Sequence, residues 1–268
     1  MTSLKSRFAG SFYPAEPSLL KKQIFDFLSN TAKVVTHPKA LLVPHAGYLY
    51  SGQTAAHGYK QLVDENYKTA IILGPTHQVY SNSLSLPSQE SFDTPLGNIN
   101  FATEICHNLL SNPNVFAINS APHYQEHSLE VQLPFLKYLF PEIEIVPISV
   151  GATDLETFSK AGEIIASLYT PDTILLISSD LSHFHSLNVA KEKDAKTIGS
   201  IMKMDLDCFI KDYQNNELEC CGVYPLILAF SIFKSLVQLH PTLLHYDTSA
   251  TAASDTHRVV GYCSIAFT

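Results

Sequence analysis

The chain has 268 residues, 46% hydrophobic and 16% charged, a globular composition long enough to bury a sizeable core. A net charge of −8 with no basic cluster excludes the electrostatic footprint of a nucleic-acid binder. No apolar run approaches the ~20 residues of a membrane span. The polar stretch at residues 1–5 has no apolar h-region, so a soluble, cytoplasmic protein with no membrane partner is expected.

From the N-terminus, "EPSLLKKQIFDFL" (16–28) predicts an amphipathic helix, with Pro17 near its start and Leu20, Ile24, Phe27 and Leu28 on one face. "ALLV" (40–43) follows as a short buried strand, "TAAHGYKQLV" (54–63) as a helix and "TAIILG" (69–74) as a second buried strand. "SLSLP" (83–87) alternates as a strand does, and "DTPLGN" (93–98) is rich in turn residues. Helices are expected over 103–110 and 129–140, the latter with a kink or a late start at Pro134. A strand over 142–151 precedes a helix over 154–169 that Asp154 caps. "TILLISS" (173–179) is another buried strand; helices near 188–203 and 223–237 follow, and segments 243–251 and 258–267 read as antiparallel additions. Short apolar strands alternating with helices imply a mostly parallel or mixed sheet covered on both faces. With no linker and no internal repeat, the expectation is α/β, one three-layer domain over 1–268.

Five cysteines, Cys106, Cys208, Cys220, Cys221 and Cys263, form an odd count without CxxC spacing, so reduced thiols are expected. Histidine is the unusual component, with 12 dispersed residues in a chain that has no tryptophan. Several follow predicted strands: 40–43 runs into Pro44-His45, 69–73 into "GPTH" ending at His77, and 173–178 into "SDLSHFH" with Asp180, His183 and His185. In open α/β sheets ligands bind beyond the carboxyl ends of the strands. One histidine after a strand is commonly a cap or a satisfied core group. Three at equivalent positions point to one convergent site.

Two more clusters bear on it. "YQEHSLEVQLP" (124–134) places Glu126, His127 and Glu130 around a helix start. There they either meet the helix dipole, with Ser128 as cap, or orient a ligand histidine through a carboxylate. "ECCGVYP" (219–225) sets Cys221 before a glycine at a turn into a helix, where a thiolate is favoured.

Taken together, "RFAGSFYP" (7–14), "PHAGYLYSG" (44–52), "ILGPTH" (72–77), "TPLG" (94–97), "EHSLEVQLPFL" (126–136), "SSDLSH" (178–183) and "CGVYP" (221–225) resemble the Memo family along nearly the whole chain. In prokaryotes that family is known as protein B of the AmmeMemoRadiSam system, and it is similar in structure to class III extradiol dioxygenases, which are non-haem Fe(II) enzymes. The resemblance implies that His45 and His77 are metal ligands, that Cys221 is the third metal-facing residue, and that His183 and Asp180 are the catalytic polar pair. The dioxygenases carry Glu where Cys221 stands here. A thiolate moves preference toward Cu(I), Zn(II) or thiolate-bound iron.

The implied function is a redox-active iron- or copper-dependent oxidoreductase, using Fe(II) or Cu(I) and acting with a radical SAM protein. A small molecule or peptide would occupy the pocket. The alternatives are a non-catalytic module that keeps the pocket for a peptide or protein, and a zinc hydrolase built on a His/His/Cys set.

Overall fold

The computed structural model describes residues 2–236 and 238–268; Met1 of the polar start and Val237, the last residue of the helix expected over 223–237, lie outside them. The first third contains β1 (Ser3–Leu4), α1 (Pro17–Ser29), β2 (Ala40–Val43), α2 (Tyr48–Tyr59), β3 (Thr69–Pro75), β4 (Leu84–Leu86), β5 (Ser91–Phe92) and β6 (Ile99–Asn100). Next come α3 (Thr103–Leu110), β7 (Phe116–Ile118), α4 (His127–Glu130), α5 (Leu133–Leu139), β8 (Glu144–Val150), α6 (Leu155–Ser167) and β9 (Thr173–Ser178). The chain closes with β10 (His183–His185), α7 (Leu187–Met202), α8 (Leu206–Gln214), α9 (Val223–Ser235), β11 (Pro241–Thr248), α10 (Ala250–Ala253) and β12 (Val259–Phe267).

The main sheet has the order β10-β12-β2-β9-β3-β8-β4-β7, with β11 also paired to β12. Its centre, β2, β9, β3 and β8, is parallel. Strands β12 and β4 join antiparallel at β2 and β8, so the sheet is mixed. Side chains alternate between two apolar layers, as the strand period of two requires. Leu41, Val43, Ala70, Ile72, Ile174 and Leu176 pack in the layer that holds α1, α2 and α5. Ala40, Leu42, Ile71, Leu73, Leu175 and Ile177 pack in the layer that holds α6 and α9. Helix α9 is buried almost all round (Leu226 to Phe233), which its unbroken apolar sequence demands. The architecture is a single α/β domain with a mixed sheet and helices on both sides, and no helix among the described residues is long and apolar enough to cross a membrane.

The fold departs from the expected elements in several places: α2 begins at Tyr48, ahead of the expected 54–63, and the short strands β1, β5, β6 and β7 have no expected counterpart. The segment 129–140 is two short helices, and the late start expected at Pro134 is present: Pro134 falls in the first turn of α5, where its missing N–H costs nothing. Helix α8 and strand β10 were not expected. In β10 the pairing to β12 slips between His183 and His185, which leaves Phe184 without a partner at φ 62°.

Candidate metal centre

The carboxyl ends of β2, β3 and β9 lie side by side in the parallel centre of the sheet, so the segments leaving them converge. His45 follows β2 and is 1% exposed. Its backbone N–H donates to Asp180 Oδ1 at 2.8 Å, and its ring Nδ1 lies 2.8 Å from Ser178 Oγ. That hydroxyl already donates to the Ser128 carbonyl at 2.6 Å and accepts from Gln132 Nε2 at 2.9 Å. Its proton is committed, so it accepts from His45, and the imidazole carries its hydrogen on Nδ1. Nε2 is left with a lone pair. Burial, helped by the nearby His77, pulls the His45 pKa down to about 3, which keeps the ring neutral.

His77, beyond β3, is held twice by one carboxylate. Its backbone N–H donates to Glu126 Oε2 at 2.6 Å and its Nδ1 to Glu126 Oε1 at 2.8 Å. Burial works against the charges here, but the hydrogen bonds and charge of the pair outweigh it: Glu126 is lowered to about 2 and His77 is raised. Glu126 is also the N-cap of α4, accepting from Ser128 N at 3.0 Å, so the cap is the glutamate and not Ser128.

His127 opens α4. Its ring stacks on His77 at 4.7 Å and 20° and lies 5.2 Å from that of His45. Its Nδ1 is 3.5 Å from the same Glu126 oxygen, and burial lowers its pKa to about 4. Phe8 and Phe12, from the N-terminal loop, wall its outer side at 5.6 and 5.0 Å. Ligand atoms of His45, His77 and His127 all lie within 4.8 Å of one another and could hold one metal ion.

Cys221 comes from the turn before α9, with Sγ 3.0 Å from His45 Nε2. The Asp180 N–H points at the sulfur from 3.1 Å, and Cys221 N donates to the Asp180 carbonyl at 3.2 Å. Burial and the Asp180 charge push the thiol well above its usual range. It is therefore an S–H donor to His45 when no ion is bound. A metal would compete with that proton, because only the thiolate ligates. The approach is tight: a Cβ on Gly222 would meet Ser179 Cβ at 2.4 Å.

Asp180 is 4% exposed, and burial raises its pKa. His183 is half-buried and within electrostatic reach of both His45 and Asp180. The structure thus gathers His45, His77, His127, Asp180 and Cys221, with His183 at the edge. His127, read from the sequence as a support, stands among the potential ligands. Glu130 turns away, accepting from Arg7 N, Phe8 N and Tyr13 Oη at 3.0, 2.8 and 2.6 Å. His185 pairs with Glu219 at 2.9 Å instead of joining the cluster. Ser178 and Gln132, which set the His45 tautomer, fall within the "SSDLSH" and "EHSLEVQLPFL" stretches, but nothing in the sequence singles them out; Gln132 lies in the turn between α4 and α5.

The donor set fits a metal. Two rings have Nδ1 committed to Ser178 or Glu126 and a free nitrogen directed inward, the arrangement seen when a carboxylate or carbonyl orients a ligand histidine.

Comparison with known proteins agrees with the residues. The family model described as "Memo-like protein" matches residues 5–266. A MEMO1 family protein of Methanococcus maripaludis is 35% identical over 276 residues, covering 96% of each chain. One from Sulfolobus acidocaldarius is 34% identical, covering 97% of each. Among solved structures, an uncharacterized protein from Escherichia coli K12 superposes with a TM-score of 0.57 over 85% of this chain and 98% of that one. At 12% identity that likeness concerns the fold alone.

Proposed function

The chain belongs to the Memo-like protein family, and we propose that it is a metal protein in which His45, His77 and His127 hold one ion with the Cys221 thiolate as a further donor. The observation that carries this reading is the pre-set tautomer of His45, whose Nε2 lone pair faces Cys221 and the other two rings. A mixed imidazole–thiolate set favours Cu(I), Zn(II) or thiolate-bound iron over hard cations. The finer reading is a redox-active oxidoreductase that uses Fe(II) or Cu(I) on a small molecule and works with a radical SAM protein, as the AmmeMemoRadiSam resemblance implies. When bound, such an ion supplies electron transfer and a site for a substrate donor atom.

The protein's own contributions follow from the geometry. Ser178 and Glu126 orient two rings, and burial keeps His45 neutral so that its lone pair is available. Asp180 fixes the His45 backbone, its Oδ1 accepting from His45 N–H, and burial raises its pKa. His183, more open to solvent, is the group suited to exchange a proton with a bound molecule.

The test is metal analysis of untagged protein purified without oxygen, repeated on His77→Ala. Stoichiometric iron or copper, lost in the variant, supports the redox reading. Zinc alone supports a metal site without redox chemistry, and binding unchanged in the variant refutes this site.

A further inference from the structure

Phe184 is the residue for which the fold has no structural use. It is the extra residue of the β10–β12 bulge, and its φ of 62° is one that side chains with a Cβ adopt at a cost and glycine adopts freely. Packing does not offset that cost, because Phe184 is 62% exposed. Its position is held from both sides: Glu219 accepts from His183 N at 3.0 Å and from His185 Nε2 at 2.9 Å. The ring thereby stands 5.7 Å from that of His183. Strain of this kind, unrepaid by folding, is found where function requires it.

The residue beside it is equally selective. Arg258 directly precedes Val259, the register partner of His185, and its guanidinium carbon lies 5.1 Å from the centroid of the Phe184 ring. The chain has only two arginines, Arg7 and Arg258. The charge of Arg7 is directed at Glu130, whereas Arg258 has no carboxylate partner among the described residues. An exposed aromatic face and an uncommitted guanidinium therefore sit together next to His183. A guanidinium presents two parallel N–H groups that match a carboxylate or phosphate, and ring contact holds its plane in place.

We propose that Phe184 and Arg258 form a recognition element for a small molecule carrying a carboxylate or phosphate beside an apolar body. The anion pairs with Arg258, the apolar part lies on Phe184, and the rest of the molecule is brought to His183. The proposal rests on the metal-site reading for what happens to the bound molecule, but not for binding itself.

The experiment is a ligand-observed NMR titration of the full chain, metal-free and loaded with Zn(II), using benzoate, butyl phosphate and, as the neutral control, benzyl alcohol. The expected result is that at least one anion binds while benzyl alcohol binds at least tenfold more weakly; the tighter anion identifies the head group. Arg258→Gln should weaken that anion by about tenfold or more, the order expected for a charge-assisted pair. Phe184→Gly should raise Tm and yet weaken the same anion, a split that a purely structural phenylalanine would not give. Equal anion affinity in Arg258→Gln, binding of benzyl alcohol as tight as benzoate, or no anion binding at all would each overturn the proposal. If the native protein takes up neither Zn(II), Fe(II) nor Cu(I) but binds benzoate through Arg258, the recognition element stands and the metal reading falls.

Discussion

Ser178 decides which nitrogen of His45 is free: its hydroxyl accepts from His45 Nδ1 at 2.8 Å only because its own proton goes to the Ser128 carbonyl at 2.6 Å. A residue at the end of β9 thus sets the state of a side chain just beyond the end of the neighbouring β2. Ser178→Ala removes that constraint while leaving all candidate ligands in place. Metal affinity should fall by about 10–100-fold, the usual effect of losing a group that orients a ligand. Stability should fall by about 1–3 kcal/mol, because the Ser128 carbonyl and the Gln132 amide each lose a buried partner. Competition titration against a chelator, alongside thermal melts, checks both; undiminished affinity would mean that His45 is not a ligand.

Glu126 and Glu130 give a contrast between two identical side chains four residues apart. Glu126 holds His77 and Glu130 anchors the N-terminal loop through Tyr13, Arg7 and Phe8. Glu126→Ala should therefore cost metal affinity of the same 10–100-fold order. Glu130→Ala should chiefly cost stability, about 1–3 kcal/mol for donors left unpaired. The two variants measured by the same titration and melt separate the roles, and equal loss of affinity in both would contradict this division.

A third prediction concerns pH and lies outside the metal site. His57 stacks on His245 at 4.0 Å and 10°, and Thr54 Oγ1 contacts His245 Nδ1 at 3.2 Å. Burial, then the charge of His245, lowers His57 to about 4; burial also lowers His245, against a small opposing pull from Asp247. An unfolded histidine titrates near ~6.5, so between that value and the folded pKa the unfolded chain binds more protons. Stability from this pair is fully present above about 6.5 and is lost as pH falls through about 4. His57→Phe keeps a ring in the stack and removes the titration. Its Tm should fall less steeply than that of the native protein on acidification, and parallel Tm-against-pH curves would rule the pair out as a contributor.

The central strands were legible because each is an apolar run buried on both faces, a pattern that needs no knowledge of neighbours. The positions of His45, His77 and Asp180 followed from those strand ends. His183 follows from the same strand end as Asp180 and Cys221 from the turn into α9, and both fall near His45. What could not be read depends on contacts distant in sequence. Strand β10 exists only through pairing with β12, more than seventy residues on. The direction of His127 depends on Glu126 being an N-cap in extended conformation (φ −108°, ψ 121°), which turns its carboxylate back toward His77 while Glu130 continues along the helix. Helix α8 carried a usable signal, the Asp205 cap that accepts from Cys208 N at 2.9 Å, in a segment too short for its periodicity to stand out.

The last prediction concerns the sulfur. Ring-cleaving dioxygenases, which the Memo resemblance implies share this fold, use a carboxylate where this chain has Cys221, and here that thiol lies 3.0 Å from His45 Nε2. A thiolate donor changes the redox balance of iron and shifts preference toward softer ions. It also places an oxidisable sulfur beside any reacting oxygen, so that sulfenic acid formation at Cys221 competes with attack on a ring. Iron-loaded native protein should accordingly give negligible ring-opened product from simple catechols. Any oxygen consumption should require an added reductant and should fall in Cys221→Ser, a change that also weakens Cu(I) and Zn(II) more than a hard ion. An oxygen electrode and absorbance of the yellow ring-opened product measure both outcomes on one sample. Rapid formation of that product by the native protein would show that the thiolate does not block extradiol chemistry, and would return this site to the dioxygenase pattern.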